Sequence, residues 1–189
     1  IDNSGSITPD ILKKEKKAAN EFIDNVALNP ENKIGLVIFS MSGTLMSPLT
    51  DNFSYLKTVV NNIPPSQGGT CIACGIDIAS KQIESSSRTD AKRLIVLLSD
   101  GIATYPPPEA AAQRASVDAV NRSFTTNKIV YYTIGFLGSN YVIGGRAAKV
   151  NEPFMKQTAT STGGKYFFAP TADNLSTVFK HVGTATPYK

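Results

Sequence analysis

The chain has 189 residues, enough for one ordinary domain with its own core. Hydrophobic residues make up 41% and charged residues 18%, and no apolar run approaches the ~18 residues of a membrane-spanning helix, which excludes a disordered chain and a membrane-spanning one. The net charge of +4 comes from scattered basic residues, apart from one lysine cluster that we interpret as the solvated face of a helix (Lys13, Lys14, Lys16, Lys17). We therefore expect neither a nucleic-acid partner nor direct membrane insertion.

Soft metal ligands and catalytic groups are scarce. The sequence contains one histidine and two cysteines, too few for a zinc site, and they allow no Ser/His/Asp catalytic set. Any metal ion that the chain binds must therefore be held by oxygen atoms.

The first half of the chain alternates helical and extended patterns. Apolar residues at helical spacing predict a helix from Pro9 to about Leu28 with Thr8 as its N-cap. The β-branched run at 33–40 predicts a strand buried on both faces, and 44–49 predicts a weaker antiparallel edge strand. Further helices are predicted over 51–63 and, opening at Thr70, to about residue 85.

The second half continues the alternation. The most apolar run, 91–99, predicts a central parallel strand, followed by a helix ending near residue 126 and a buried strand at 128–136. A glycine-rich loop at 138–149 leads to a helix at 152–160 and a last strand at 165–169. A terminal helix is predicted from its apolar stripe (Leu175, Val178, Phe179, Val182).

These elements predict a doubly wound α/β fold, with a mostly parallel sheet, one antiparallel edge strand and helices on both faces. The first strand of such a sheet lies at its centre, whereas this sequence opens with a loop at 1–6 that leads into the first helix. We therefore expect 1–189 to be a single domain, an N-terminally truncated fragment whose first strand precedes Ile1. Alternatively, the chain lacks that strand or borrows one from a partner.

Polar side chains at three separate places are predicted to meet at one rim of this sheet. They follow strand ends or precede helices, and ligands of open α/β sheets bind where the strand order reverses (Asp2, Ser4, Ser6, Thr70, Asp100). Two carboxylates and three hydroxyls are hard oxygen donors, which favour Mg²⁺, with Mn²⁺ or Ca²⁺ as possible substitutes. An ion facing only two negative charges retains affinity for a further carboxylate, which an Asp or Glu of a partner protein could supply.

At these residues the sequence resembles the von Willebrand factor type A domain, which is also the inserted domain of integrins. The resemblance rests on DNSGS at 2–6, Thr70 in GGTCIACGI and Asp100 in LIVLLSDG, and it extends to YTIGF and TGGKYFFAP further on. It implies a metal-ion-dependent adhesion site in which Ser4, Ser6 and Thr70 are hydroxyl ligands, while Asp2 and Asp100 act directly or through water. It also implies the strand order 3-2-1-4-5-6, counting the expected strand before Ile1 as the first, and an extracellular or cell-surface location.

Other candidate residues surround this set. Cys71 and Cys74 are spaced to allow a disulfide within one helical turn, although packing cysteines or a redox pair are alternatives. The walls of the ligand-binding rim are predicted at 41–45, 103–109 and 138–146, with Tyr105 and Tyr141 as exposed aromatic contacts.

The sequence therefore favours a non-enzymatic adhesion or protein-binding module. A metal-assisted hydrolase of the phosphatase kind is an alternative, but no second acid lies two residues after Asp2, and phosphate-binding loops and nucleophile-elbow motifs are lacking. A structural subunit of a pilus or surface assembly is a third possibility.

Overall fold

The computed structural model describes residues 1–88, 90–136, 142–143, 146–147, 150–169, 174–175 and 177–179. The helices are α1 (Pro9–Val26), α2 (Phe53–Asn61), α3 (Ile72–Glu84), α4 (Glu109–Asn127) and α5 (Glu152–Ser161). The strands are β1 (Ile34–Phe39), β2 (Gly43–Thr50), β3 (Leu94–Ser99), β4 (Val130–Phe136), β5 (Val142–Ile143), β6 (Arg146–Ala147) and β7 (Tyr166–Ala169). Residues 174–175 and 177–179 are also helical.

Helix α1 begins where the sequence predicts it. The hydroxyl oxygen of Thr8 accepts a hydrogen bond from the backbone N–H of Ile11 at 3.4 Å, and Pro9 occupies the first turn, where no backbone donor is needed. The buried face follows the apolar periodicity of the sequence and includes Ala18 and Ile23. The helix ends at Val26, slightly before the predicted end.

The sheet consists of two hydrogen-bonded parts. Strand β1 pairs with β2 in the antiparallel direction, as predicted for an edge, and β4 lies between β3 and β7 in parallel register. The first three residues connect the two parts: the N–H of Phe39 donates to the carbonyl of Ile1 at 3.1 Å, and the N–H of Asp2 donates to the carbonyl of Leu98 at 3.0 Å. The order is therefore β2-β1-β3-β4-β7, with residues 1–3 between β1 and β3.

The position of residues 1–3 differs from the prediction for this segment, and it accounts for the observed strand order. Residues 1–3 were predicted as part of a loop. Instead, they make ladder hydrogen bonds to both neighbouring strands, and Asp2 forms a parallel bridge with Phe39. When an expected strand before Ile1 is counted as first, the observed order equals the predicted 3-2-1-4-5-6.

Helices cover both faces of the sheet, which confirms the doubly wound α/β fold. One face packs against α3, α4 and α5 around Ile76, Tyr131 and Met155. The opposite face packs against α1 and the helical residues 174–175 and 177–179, with Tyr132 in that core. The neighbouring residues Tyr131 and Tyr132 of β4 thus point to opposite layers, as the period of two along a strand requires. None of the helices in the described ranges is long and apolar enough to cross a membrane.

Two features differ from the sequence-based expectation. The predicted loop at 138–149 contains the short antiparallel pair β5 and β6, in which Val142 lies opposite Ala147. In addition, a cavity of about 340 Å³ lies between β1 and β3, with Val37, Val96 and Leu98 among its lining residues. The two strands are joined through residues 1–3 at one end, and the cavity occupies the space between them further along the sheet.

Candidate metal centre

The carboxyl ends of two strands bring the predicted acidic residues to one edge of the sheet. Strand β3 ends at Ser99, so Asp100 directly follows it, while Asp2 lies between the end of β1 and β3 through its bridge to Phe39. This edge is where the strand order reverses, because the connections leave it in opposite directions on either side of residues 1–3. Both carboxyl groups therefore lie at the position where such folds bind ligands.

The carboxyl group of Asp2 is buried and held from both sides. Asp2 is 2% exposed. Oδ1 accepts the backbone N–H of Ser4 at 3.0 Å, and Oδ2 accepts the hydroxyl of Ser99 at 2.7 Å. Burial raises the pKa of Asp2 above its ordinary value, although these hydrogen bonds oppose the shift. The carboxylate is thus fixed in orientation but poorly compensated in charge.

The serines of the same segment approach each other. The Oγ atoms of Ser4 and Ser6 lie 3.2 Å apart and form a hydrogen bond with each other. Gly5 between them donates its N–H to the carbonyl of Gly68 at 2.9 Å, and a Cβ on Gly5 would lie 3.1 Å from that oxygen. This close contact requires glycine and holds the segment 2–6 against the loop that leads to Thr70.

Thr70 is 7% exposed and is anchored by its backbone. Its N–H donates to Oγ1 of Thr104 at 2.9 Å, and its carbonyl accepts the N–H groups of Thr104 and Tyr105 at 2.9 and 3.1 Å. Its hydroxyl makes no hydrogen bond to any residue in the described ranges. The prediction that Thr70 opens the helix was wrong: α3 begins at Ile72, and its N-cap is Cys71. The Thr70 hydroxyl is therefore free of a capping role.

Asp100 is the second carboxyl group at this edge. Its Oδ1 accepts the N–H of Ile102 at 2.9 Å, in a tight turn where Gly101 has a φ of +77°. Burial, with a further contribution from the negative charge of Asp2, raises the pKa of Asp100 to about 7. Two carboxyl groups of raised pKa, one of which raises the pKa of the other, form an electrostatic site that a cation would relieve.

The donor set fits a hard dication. In the part of the chain that the structure describes, no three His, Cys, Asp or Glu side chains lie close enough together to hold a metal ion. The predicted set contains two acids and three hydroxyls, so alcohols and water would have to supply most of the ligands of an ion held there. Mg²⁺ and Mn²⁺ accept oxygen ligands of this kind and retain water readily.

Two residues of this region were missed by the sequence analysis. Ser99 orients Asp2, and its Oγ also accepts the N–H of Gly101 at 3.0 Å; its place just before Asp100 was the available signal. Glu15 is 1% exposed, and neither carboxyl oxygen has a hydrogen-bond partner in the described ranges. Burial and the nearby charge of Asp2 raise its pKa well above the ordinary value. A charged residue on the apolar stripe of α1 was the signal here.

The remaining predicted residues are placed as follows. Tyr105 lies beside Thr70 and is 39% exposed. Tyr141 lies outside the described residues, as does most of the predicted wall at 138–146. Cys71 and Cys74 form a disulfide across the first turn of α3, with their Cα atoms 5.3 Å apart, directly after Thr70.

The fold is an open α/β sheet domain with two acidic residues, Asp2 and Asp100, at the point of strand reversal. The model of the von Willebrand factor type A domain family matches residues 1–181, and the chain belongs to that family.

Comparisons with individual proteins agree with this assignment. The chain is 26% identical to a UPF0353 protein of Mycolicibacterium paratuberculosis, over 93% of this chain and 54% of that protein, so it spans about half the length of this curated relative. The pilus adhesin SpaC of Lactobacillus rhamnosus GG superposes with a TM-score of 0.74 at 13% identity, covering 97% of this chain and 28% of the adhesin. The manganese-loaded TRAP protein of Plasmodium vivax gives 0.67 at 16% identity, covering 94% and 68%.

Proposed function

We propose that the chain is a metal-dependent protein-binding module that holds an Asp or Glu side chain of a partner through a Mg²⁺ ion at the sheet edge. The residues that would hold the ion are the two acids and three hydroxyls predicted from the sequence (Asp2, Ser4, Ser6, Thr70, Asp100). When bound, the ion supplies an electrophilic position that a carboxylate oxygen of the partner occupies. The observation that carries the proposal is the proximity of two acids of raised pKa, one of them in the segment where the Ser4 and Ser6 hydroxyls also approach each other.

The charge of the site supports an acidic partner group. Asp2 and Asp100 are the acids of the candidate set, and they at most neutralise a dication, while hydroxyl and water ligands add no charge. Because the site is partly desolvated, a carboxylate that joins the ion is attracted more strongly than it would be in water. The chain's own residues would position the ligands of the ion: Ser99 orients Asp2, and the hydrogen bond to Thr104 anchors the backbone of Thr70.

The family and the solved structures support an adhesive role without requiring catalysis. A neighbour in fold is a pilus adhesin, and another was crystallised with manganese. We infer a non-enzymatic module with a protein partner, located outside the cell or at its surface. Incorporation into a pilus or other surface assembly is the second role that the likeness to the adhesin favours.

Titration calorimetry with Mg²⁺, followed by titration with glutarate as a simple dicarboxylate, tests the proposal. We expect glutarate to bind in Mg²⁺ and not in EDTA. Asp100→Ala should abolish Mg²⁺ binding, and Asp2→Asn should weaken it severely. Asp118→Ala, which removes an exposed carboxylate on α4, is the matched control and should bind like the unaltered chain. Mg²⁺ binding of unchanged strength in both site variants would refute the proposal.

A further inference from the structure

Two exposed apolar side chains flank the loop that leads to Thr70. Met41, just after β1, is 48% exposed, and Tyr105, in the loop after β3, is 39% exposed. A Cβ on Gly68 would lie 3.0 Å from Cε of Met41, and a Cβ on Gly69 would lie 3.2 Å from Cβ of Tyr105. The two side chains therefore pack against successive glycines of one short loop, and both remain open to solvent.

The backbones that carry these side chains are tied to the candidate metal centre. The carbonyl of Ser40, the residue before Met41, accepts the N–H of Cys71 at 2.6 Å, and the N–H of Tyr105 donates to the carbonyl of Thr70 at 3.1 Å. Both hydrogen bonds end on the Thr70–Cys71 peptide segment. The positions of Met41 and Tyr105 relative to Thr70 are thus fixed in advance, which lowers the entropy cost of using them to bind a partner.

Three of the loops at this rim carry no charged side chain. Segments 40–43, 64–70 and 101–108 contain no Lys, Arg, Asp or Glu. A partner's carboxylate therefore finds no cationic side chain on these loops to compete with the metal ion. A residue next to that carboxylate finds an apolar surface, a glycine-rich loop and the face of a tyrosine.

We propose that Met41 and Tyr105 form an apolar clamp, which selects partner segments whose Asp or Glu is adjacent to an aromatic or large aliphatic residue. The proposal rests on the metal-dependent binding of an acidic side chain proposed above, and it adds the identity of the neighbouring residue. Covering about 55 Å² of apolar surface would strengthen binding about tenfold. The clamp thus supplies specificity, while the metal ion supplies the common attraction for carboxylates.

Two capped peptides, acetyl-Gly-Phe-Glu-Gly-amide and acetyl-Gly-Gly-Glu-Gly-amide, test the clamp by NMR titration of the Mg²⁺-loaded chain. We expect the phenylalanine peptide to bind about tenfold more tightly. Met41→Ala combined with Tyr105→Ala should reduce this preference to about twofold or less, with Mg²⁺ affinity unchanged. Tyr55→Ala, which removes a 48% exposed tyrosine on α2, should retain the full preference.

The outcomes separate the clamp from the metal-dependent function. Equal Mg²⁺-dependent affinities for the two peptides, or a preference that survives in the double variant, would overturn the clamp and leave the proposed function intact. Binding that is the same in EDTA as in Mg²⁺ would overturn the proposed function and the clamp together, because no carboxylate would then be held beside Met41 and Tyr105.

Discussion

The hydroxyl of Ser99 donates a 2.7 Å hydrogen bond to Oδ2 of Asp2 across the join between β3 and the first residues of the chain. Both residues are buried, at 3% and 2% exposure, so the bond forms where water does not compete. It ties Asp2 to the strand whose last residue, Ser99, directly precedes Asp100. The two carboxyl groups of the candidate metal centre are therefore held by one connected structure.

Ser99→Ala removes this donor and leaves a buried carboxyl oxygen without it. We expect the free energy of unfolding to fall by about 2 kcal/mol, the usual scale for a hydrogen bond to a charged group. We also expect weaker Mg²⁺ binding, since Asp2 is no longer oriented. Urea denaturation and titration calorimetry measure the two effects.

Ser116→Ala is the matched control, because Ser116 is fully buried and, among the residues that the structure describes, its hydroxyl bonds only to the Ala112 carbonyl of its own helix. It should change stability by about 1 kcal/mol or less and leave Mg²⁺ affinity unchanged. If the two variants were indistinguishable in both measurements, the orienting role of Ser99 would be wrong.

The pH dependence of Mg²⁺ binding follows from the pKa of Asp100, which is raised to about 7. Below that pH the carboxyl group is protonated in the metal-free chain, so a binding Mg²⁺ ion must displace the proton. The apparent affinity should therefore increase about tenfold from pH 6 to pH 8. Calorimetry in two buffers of different ionisation enthalpy should show proton release near pH 7. An affinity that is flat across this range, with no proton release, would contradict the shift.

The sequence was sufficient for the alternation of elements and for the placement of Asp2 and Asp100 at one edge of the sheet. Thr8, Pro9 and the apolar stripe of α1 act locally, and residues at strand ends reach one edge as soon as the strands are parallel. The sequence was not sufficient to predict contacts between segments that are distant along the chain. The ladder bonds of Ile1 and the approach of Gly5 to Gly68 depend on tertiary packing, which the local pattern around them does not encode.

The predicted start of α3 at Thr70 was likewise wrong because the sequence does not show tertiary contacts. Threonine before a helical run predicts an N-cap, but the carbonyl and N–H of Thr70 are bound to the loop at Thr104. The helix consequently begins one position later, with Sγ of Cys71 accepting the N–H of Cys74. A tertiary contact therefore decided which residue capped the helix.

Glu15→Met should stabilise the metal-free chain at alkaline pH. The buried carboxyl group has a pKa well above the ordinary value because of burial and the charge of Asp2. The folded state therefore holds a proton that the unfolded state releases above about pH 4.3. Between about pH 4.3 and the folded-state pKa of Glu15, the unfolded state thus binds fewer protons than the folded state. The free energy of unfolding therefore falls as the pH rises through this range.

Methionine has a similar length, suits a helix and carries no charge. We expect Glu15→Met to raise the free energy of unfolding by about 1 kcal/mol or more at pH 8 and by less at pH 4. Glu31→Gln, at an exposed loop position, should change it by about 0.5 kcal/mol or less at either pH. A loss of stability at pH 8 in Glu15→Met would show that the carboxyl group has a stabilising partner.

The cavity between β1 and β3 predicts that a strand placed before Ile1 stabilises the domain. The N–H of Ile1 donates to the carbonyl of Val37 at 2.9 Å and that of Asp2 to the carbonyl of Leu98. Continued backwards in parallel register, such a strand would offer carbonyls to the N–H groups of Val37 and Leu98. Its side chains would enter the cavity of about 340 Å³, which has apolar residues of both strands in its lining.

A segment fused before Ile1 tests this prediction. Six β-branched apolar residues joined to Ile1 should raise the melting temperature by about 5 °C or more and slow hydrogen exchange at Val37 and Leu98. A Gly-Ser segment of equal length is the control and should do neither, since it has the same backbone but no apolar side chains to bury. Equal melting temperatures for the two fusions would mean that the cavity does not accept a strand.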